Sequence, residues 1–253
     1  FHDLIEHQAI PKAVLTEVRR QAAGSGIPEI GEAVRYGWLP TLRPFAGLQT
    51  GVSFVPCTAG YAIREITRVG AELRRAGLDR SDIQTMSPIR AGDAGVDAIN
   101  QHFHSLRRQK SRGGTFPGRQ DIAEGDPVIF TRNDYDRDLQ NGSMGRFVRR
   151  NGHEAECVLD GRNVALTRFD AADVELAYAI SVHKSQGSAW RVVFLPVFNN
   201  RLLDRTLIYT GITRATDQVV IFGDTSALSR AVVNESAVSE RRSALLPKFE
   251  RAL

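Results

Sequence analysis

"AYAISVHKSQG", residues Ala177–Gly187, sets the apolar residues Ala177, Ile180 and Val182 ahead of Lys184, Ser185 and Gln186 and closes on Gly187. A glycine after such a run is where a helix stops, so one reading is an ordinary capped helix. The other is that His183, Lys184, Ser185 and Gln186 crowd hydrogen-bonding groups onto one turn facing a polyanion. The Lys-Ser pair is not a phosphate loop of the Gly-X-X-X-X-Gly-Lys-Ser/Thr kind. Its glycine follows the lysine, and the preceding backbone cannot form the phosphate cradle. A second, independent signal has to decide.

Working outward, "LIYTGITRATDQVVIFGD" (Leu207–Asp224) sets Arg214 between a helical run and a buried strand. Before it, "VVFLPVF" (192–198) reads as a strand. Upstream, "GVSFVPC" (51–57) and "SDIQTMSPI" (81–89) read as strands, and apolar residues at 62, 63, 66, 69, 73 and 76 have helical spacing, as does "DAGVDAINQHFHSL" (93–106). Residues 11–36 suggest two short helices around a turn. Strand-helix alternation of this kind predicts a layered α/β domain.

The alternation breaks in the middle. Residues 107–120 carry Arg107, Arg108, Lys110, Arg112 and Arg119 among glycines, and read as a flexible basic link. Four short β-rich runs follow, separated by "QNGS", "RNGH" and "LDGR", which are hairpin signals. The expected organisation is a first part of the α/β domain over 1–120, a small antiparallel barrel inserted at 121–172, and the remainder of the domain over 173–253.

Composition permits this. The chain has 253 residues, 42% of them hydrophobic, and a net charge of +4, which allows a polyanionic partner without requiring one. Cys57 and Cys157 have no companions at metal-ligand spacing, so no metal site is expected, and a reduced cytoplasmic protein is. No apolar run is long enough to span a membrane.

Together the two segments resemble the last motifs of the superfamily-one helicases, in the branch of RecD and the TraA-type conjugative helicases. Ala177–Gly187 departs from the family's Ala-Tyr-Ala-Ile-Thr-Val-His-Lys-Ser-Gln-Gly at Ser181, and Tyr209–Ala215 departs from Tyr-Thr-Ala-X-Thr-Arg-Ala at Gly211. "LTEVRRQ" (Leu15–Gln21) is similar to Leu-Thr-Glu-X-Phe-Arg-Gln, with Arg19 in place of phenylalanine. "IQTMSPIRAGDAGVDAINQ" (Ile83–Gln101) and "GDPVIFTRNDYDRDLQNGSMGR" (Gly125–Arg146) resemble further family segments, with Ile99 where leucine is usual.

The resemblance implies a RecA-like second motor domain with an inserted all-β barrel of Src-homology type. It implies Arg20 and Arg214 as arginines approaching the γ-phosphate of ATP, with Gln21, Gln186 and Gly187 beside the nucleotide. It also implies Ser87, Pro88, Arg90, Asn100, His183, Lys184 and Ser185 towards single-stranded DNA. In the barrel, Asn133 and Tyr135 are placed to meet a base or sugar, or equally to form an Asx-rich turn. The chain has no phosphate loop and no Asp-Glu pair after a buried strand. Those groups, and most of the hold on ATP and Mg2+, are therefore expected on a first RecA-like domain upstream, and the chain alone is expected to lack ATPase activity. Travel from 5′ to 3′ is the polarity implied, with nuclease-complex or conjugation subunits as further partners. The competing reading is a nucleic-acid-binding module that kept the fold without catalysis.

Overall fold

The computed structural model describes Pro11, Gln21 and residues 24–110, 113–201 and 203–234. The first of the two helices expected over 11–36, Arg20, and any helix after residue 234 lie outside the described residues.

Alternation in two strands sets the architecture. In β10 (Trp190–Val197) and β11 (Ala215–Gly223), Val193, Leu195, Val197, Val219 and Ile221 enter one apolar cluster, while Val192, Phe194, Val220 and Phe222 enter another. Successive strand residues point to opposite faces, so strands apolar on both parities must be covered on both sides. The sheet is completed by β1 (Arg43–Pro44), β2 (Gly51–Pro56), β3 (Ile83–Ser87) and β9 (Ala179–Ser181), in the order β1-β2-β11-β10-β3-β9. Every pairing in it is parallel.

Helices cover both faces. On the first lie α1 (Ile27–Arg35), α4 (Arg205–Ile212) and α5 (Thr225–Val233), burying residues such as Val34, Ile208 and Leu228. The second carries α2 (Ala62–Arg75) and α3 (Val96–Lys110), through Ile66, Val69, Leu73 and Ile99. Asp204 and Asp224 begin α4 and α5 by accepting bonds from Leu207 N–H and Ser226 N–H, which satisfies donors the helices leave open. This is the α/β class expected, with a wholly parallel sheet.

Residues between β3 and β9 form a second sheet. β4 (Pro127–Phe130), β5 (Met144–Asn151), β6 (Glu154–Leu159), β7 (Arg162–Thr167) and β8 (Val174–Leu176) pair antiparallel in the order β7-β6-β5-β4-β8. It has its own core around Phe116, Phe130, Phe147 and Leu166. Arg137 ties its loops together, donating to Asp134 and, at 2.6 and 3.1 Å, to Asp170. Burial works against the charge on Asp170, but bonds from Arg137 and Thr167 outweigh it and hold this carboxyl below its ordinary pKa.

Two expectations need correction. Ala177–Gly187 is not a helix: residues 179–181 are a strand paired with β3, and only Val182–Ser185 turns, as a short 3-10 helix capped by Ser181. Three residues of β-pairing against Thr85–Ser87 outweigh local helical spacing. The basic stretch at 107–120 is not a free link in its described part. Arg107, Arg108 and Lys110 end α3, where cations suit the helix dipole, and Arg107 donates to the Glu124 carbonyl. Arg119 holds Asp121 and the carbonyls of Ala171 and Val174.

Candidate functional site

All strands of the main sheet run one way, so the sheet has two distinct edges. Ser87 and Ser181 lie opposite one another where β3 and β9 end. Trp190 and Ala215 lie opposite one another where β10 and β11 begin. The segment from Ser181 to Trp190 therefore crosses the sheet from its C-terminal to its N-terminal edge, beneath α4. Val182 anchors it in the core, and Ser185, fully buried, donates to the Val182 carbonyl at 2.6 Å. Gly187 has φ +90°, a conformation that disfavours side chains, and it turns the chain towards β10.

At the N-terminal edge Arg214 follows Thr213, the residue that caps α4. Its carbonyl accepts from Trp190 N–H at 3.0 Å and its Nε donates to the Thr210 carbonyl at 3.3 Å. The flanking carbonyls of Thr213 and Ala215 both accept from the buried Gln21 amide, at 2.8 and 3.0 Å. Gln21, expected beside the nucleotide, thus has its amide nitrogen engaged in holding the arginine loop. A Cβ at Gly211 would come 2.9 Å from Leu195 Cδ1, so the departure from the family's alanine is matched by a leucine filling that space. Gln186 and Gly187 are exposed on the segment that leads to this corner.

The C-terminal edge carries the other group. Arg90 and His183 are exposed, and Lys184 and Pro88 half-buried. Ser87 is fully buried: its hydroxyl donates to the Ala94 carbonyl and accepts from Ile89 N–H, shaping the loop that presents Arg90. Asn100 is also inside. Its side chain donates to the carbonyls of Leu176 and Ala179 and accepts from Ala179 N–H, supplying β9 with the partners a further strand would give. Ser87, Asn100 and Ser185 were expected towards DNA. In this arrangement their polar atoms face the fold, because buried hydroxyls and amides must find partners there. Asn133 and Tyr135 stand apart in the loop between β4 and β5, where the Asn133 side-chain oxygen accepts from Asn141 N–H across the loop and Tyr135 is 83% exposed.

Sequence reasoning missed Glu175, which pairs with Lys184 and Arg90. The only signal was an acid two residues ahead of the opening segment. It also missed Asp126, fully buried at the junction of the two sheets. Asp126 accepts from Tyr178 Oη at 2.6 Å, His104 Nδ1 at 2.7 Å and Ala123 N–H at 2.7 Å. Burial, then the bond to Asp126, raises the Tyr178 pKa, so its hydroxyl remains a donor. Among the described residues no group of His, Cys, Asp and Glu could hold a metal ion, and no helix is long and apolar enough to cross a membrane. The Arg214 guanidinium and the exposed Gln186 side chain suit phosphate oxygens; among the described residues no cluster of carboxylates is placed to hold a Mg2+ ion there.

Residues 176–222 match the UvrD-like helicase C-terminal domain. The ATP-dependent RecD2 DNA helicase of Deinococcus radiodurans is 30% identical over 244 residues, 96% of this chain and 32% of that protein. The RecBCD enzyme subunit RecD of Haemophilus influenzae is 32% identical over 155 residues, 60% of this chain and 23% of that protein. The chain thus spans a third or less of the length of these relatives. Two solved structures share the fold: the Bacteroides Pif1 helicase in complex with ADP-AlF3 and ssDNA, at TM-score 0.51 and 17% identity, covering 94% of this chain and 56% of that one, and the Pif1 helicase from Candida albicans, at TM-score 0.52 and 15% identity, covering 94% and 60%.

Proposed function

We propose that the chain, whose residues 176–222 match the UvrD-like helicase C-terminal domain and which is 30% identical over 244 residues to a RecD2 DNA helicase, is the second motor domain of an ATP-dependent DNA helicase related to RecD. Its domain would run over 1–120 and 173–253, with 121–172 as an inserted barrel of Src-homology type. The observation that carries the reading is the crossing segment Ser181–Trp190. It joins an edge with exposed cations to an edge where Arg214 is held by its neighbours' backbone.

On this reading Arg214, with Arg20, reaches the γ-phosphate of ATP whose phosphate cradle and Mg2+ ligands belong to another RecA-like domain. Phosphoryl transfer depends on positioning and charge, and an arginine reaching across a cleft is worth about 10³ to 10⁵ in rate. Its planar, permanently charged fork suits that task. Gln21 follows Arg20 directly, so its clasp on Thr213 and Ala215 would tie the two arginines into one unit. Gln21 is then a positioning residue, while Gln186 and Gly187 flank the nucleotide.

At the opposite edge Arg90, His183 and Lys184, with Pro88, meet single-stranded DNA; Ser87, Asn100 and Ser185 support them from inside. Asn133 and Tyr135 would offer a second contact from the insert. Cleft closure on ATP would move the crossing segment between both ends, and RecD likeness favours 5′ to 3′ travel in the cytoplasm, in a recombination or conjugation setting.

The test compares the chain alone with the full-length protein. The chain alone is expected to bind oligothymidylate weakly and with salt sensitivity, and to turn over no ATP. Robust hydrolysis by the isolated chain would overturn the half-site reading.

A further inference from the structure

The cations of the C-terminal edge are already occupied. Lys184 Nζ lies 2.9 Å from Glu175 Oε2, and Arg90 lies 3.7 Å from the same oxygen while its Nε is 3.3 Å from Asp97 Oδ1. Glu175 does not reach in from a mobile loop. It sits in β8, opposite Ile129 of β4, and Asn100 clamps the Leu176 carbonyl next to it. The groove alongside, about 280 Å³ and lined by Arg90, Asn100, His104, Arg119 and Glu175, repeats the pattern: Arg119 is closed onto Asp121 at 2.5 and 2.7 Å.

We propose that Glu175 is a built-in stand-in for a strand phosphate and sets the affinity of this edge for single-stranded DNA. This rests on the reading that the edge meets the strand. A carboxylate and a phosphodiester each offer a monoanionic pair of oxygens to ammonium and guanidinium donors. Lys184 and Arg90 cannot satisfy both at one place. The pair is only partly buried, with side-chain exposures of 28% for Lys184 and 31% for Glu175, so exchanging one anion for the other is nearly balanced. A bound strand takes over the cations, leaves Glu175 facing a phosphate of like charge, and releases the tie between β8 of the second sheet and the crossing segment. Strand occupancy is thereby reported to the second sheet, while an empty edge keeps its charge neutralised.

The experiment measures binding of a labelled oligothymidylate by anisotropy in the full-length protein across a salt series. It compares the natural sequence with Glu175→Gln, with Arg90→Ala/Lys184→Ala, and with all three substitutions combined. Glu175→Gln keeps the size of the side chain and removes its charge. It is expected to tighten binding about 3- to 10-fold and to steepen the salt dependence by about 0.7 for each further phosphate neutralised. In the Arg90→Ala/Lys184→Ala background the gain should vanish. Unchanged or weaker binding by Glu175→Gln would overturn the stand-in, as would a gain that persists without both cations. If Arg90→Ala/Lys184→Ala binds like the natural protein, the strand-edge reading itself fails; if it binds more weakly and Glu175→Gln still gives no gain, the stand-in alone does.

Discussion

The two ends of the segment Ser181–Trp190 are held in opposite ways. At the Arg214 end the contacts go to backbone: Gln21 to two carbonyls and Trp190 N–H to a third. At the Lys184 end they are ion pairs between partly exposed side chains, Lys184 with Glu175 and Arg90 with Glu175 and Asp97. A buried donor or acceptor that loses its partner costs about 1 to 3 kcal/mol, whereas exposed ion pairs are worth about 0 to 1 kcal/mol. One end is therefore fixed in advance, as the role proposed for Arg214 at a transferring phosphoryl group requires. The other is exchangeable, as the role proposed for Lys184 and Arg90 on a moving strand requires.

That contrast can be broken in graded ways. The largest effect is expected from Arg214→Ala in the full-length protein, where DNA-stimulated ATP turnover should fall by about 10³-fold or more. Gln21→Ala should lower kcat about 10- to 100-fold with little change in the KM for ATP, because it loosens the arginine loop without removing a charge. A raised KM for ATP with kcat unchanged would mean that Gln21 contacts nucleotide instead. Arg137→Ala in the insert should cost about 1 to 3 kcal/mol in unfolding by urea, since it leaves the buried Asp170 without its main partner, and should leave ATP turnover unchanged. Lys184→Ala should weaken strand binding about 3- to 10-fold and flatten its salt dependence.

Acid tests the insert separately. The Asp170 pKa is depressed in the folded protein, so its contribution is present above the unfolded carboxylate value, about 4, and is lost as pH falls through the folded value. Unfolding midpoints measured from about pH 6 to pH 2 should show this loss, and Arg137→Ala should reduce it. A natural protein whose stability is flat over that range would contradict the assignment.

How much of this was legible follows from the range of the interactions. The alternation of Val192–Val197 and Val219–Phe222 announces a sheet covered on both faces, and Arg214 between a helical and a β-rich run is visible as a pattern. Ala179–Ser181 was not legible as a strand, since three residues of short apolar run do not distinguish helix from strand and the pairing to β3 lies some 90 residues away. The inward turn of Ser87, Asn100 and Ser185 was hidden for a related reason: a motif gives the residue type but not which partner its polar atoms find. Gln21 bonds carbonyls 192 and 194 positions distant, and nothing local to it could have said so.

The central claim is that one segment joins two separable jobs, and it is tested most directly by measuring two quantities on two variants. In the full-length protein, Arg214→Ala and Lys184→Ala should each be assayed for ATP turnover at saturating strand and for strand Kd. Arg214→Ala is expected to abolish turnover while strand Kd stays within about twofold, and Lys184→Ala to raise Kd while turnover at saturating strand is largely kept. Near-natural turnover by Arg214→Ala, or both quantities moving together in both variants, would contradict the account.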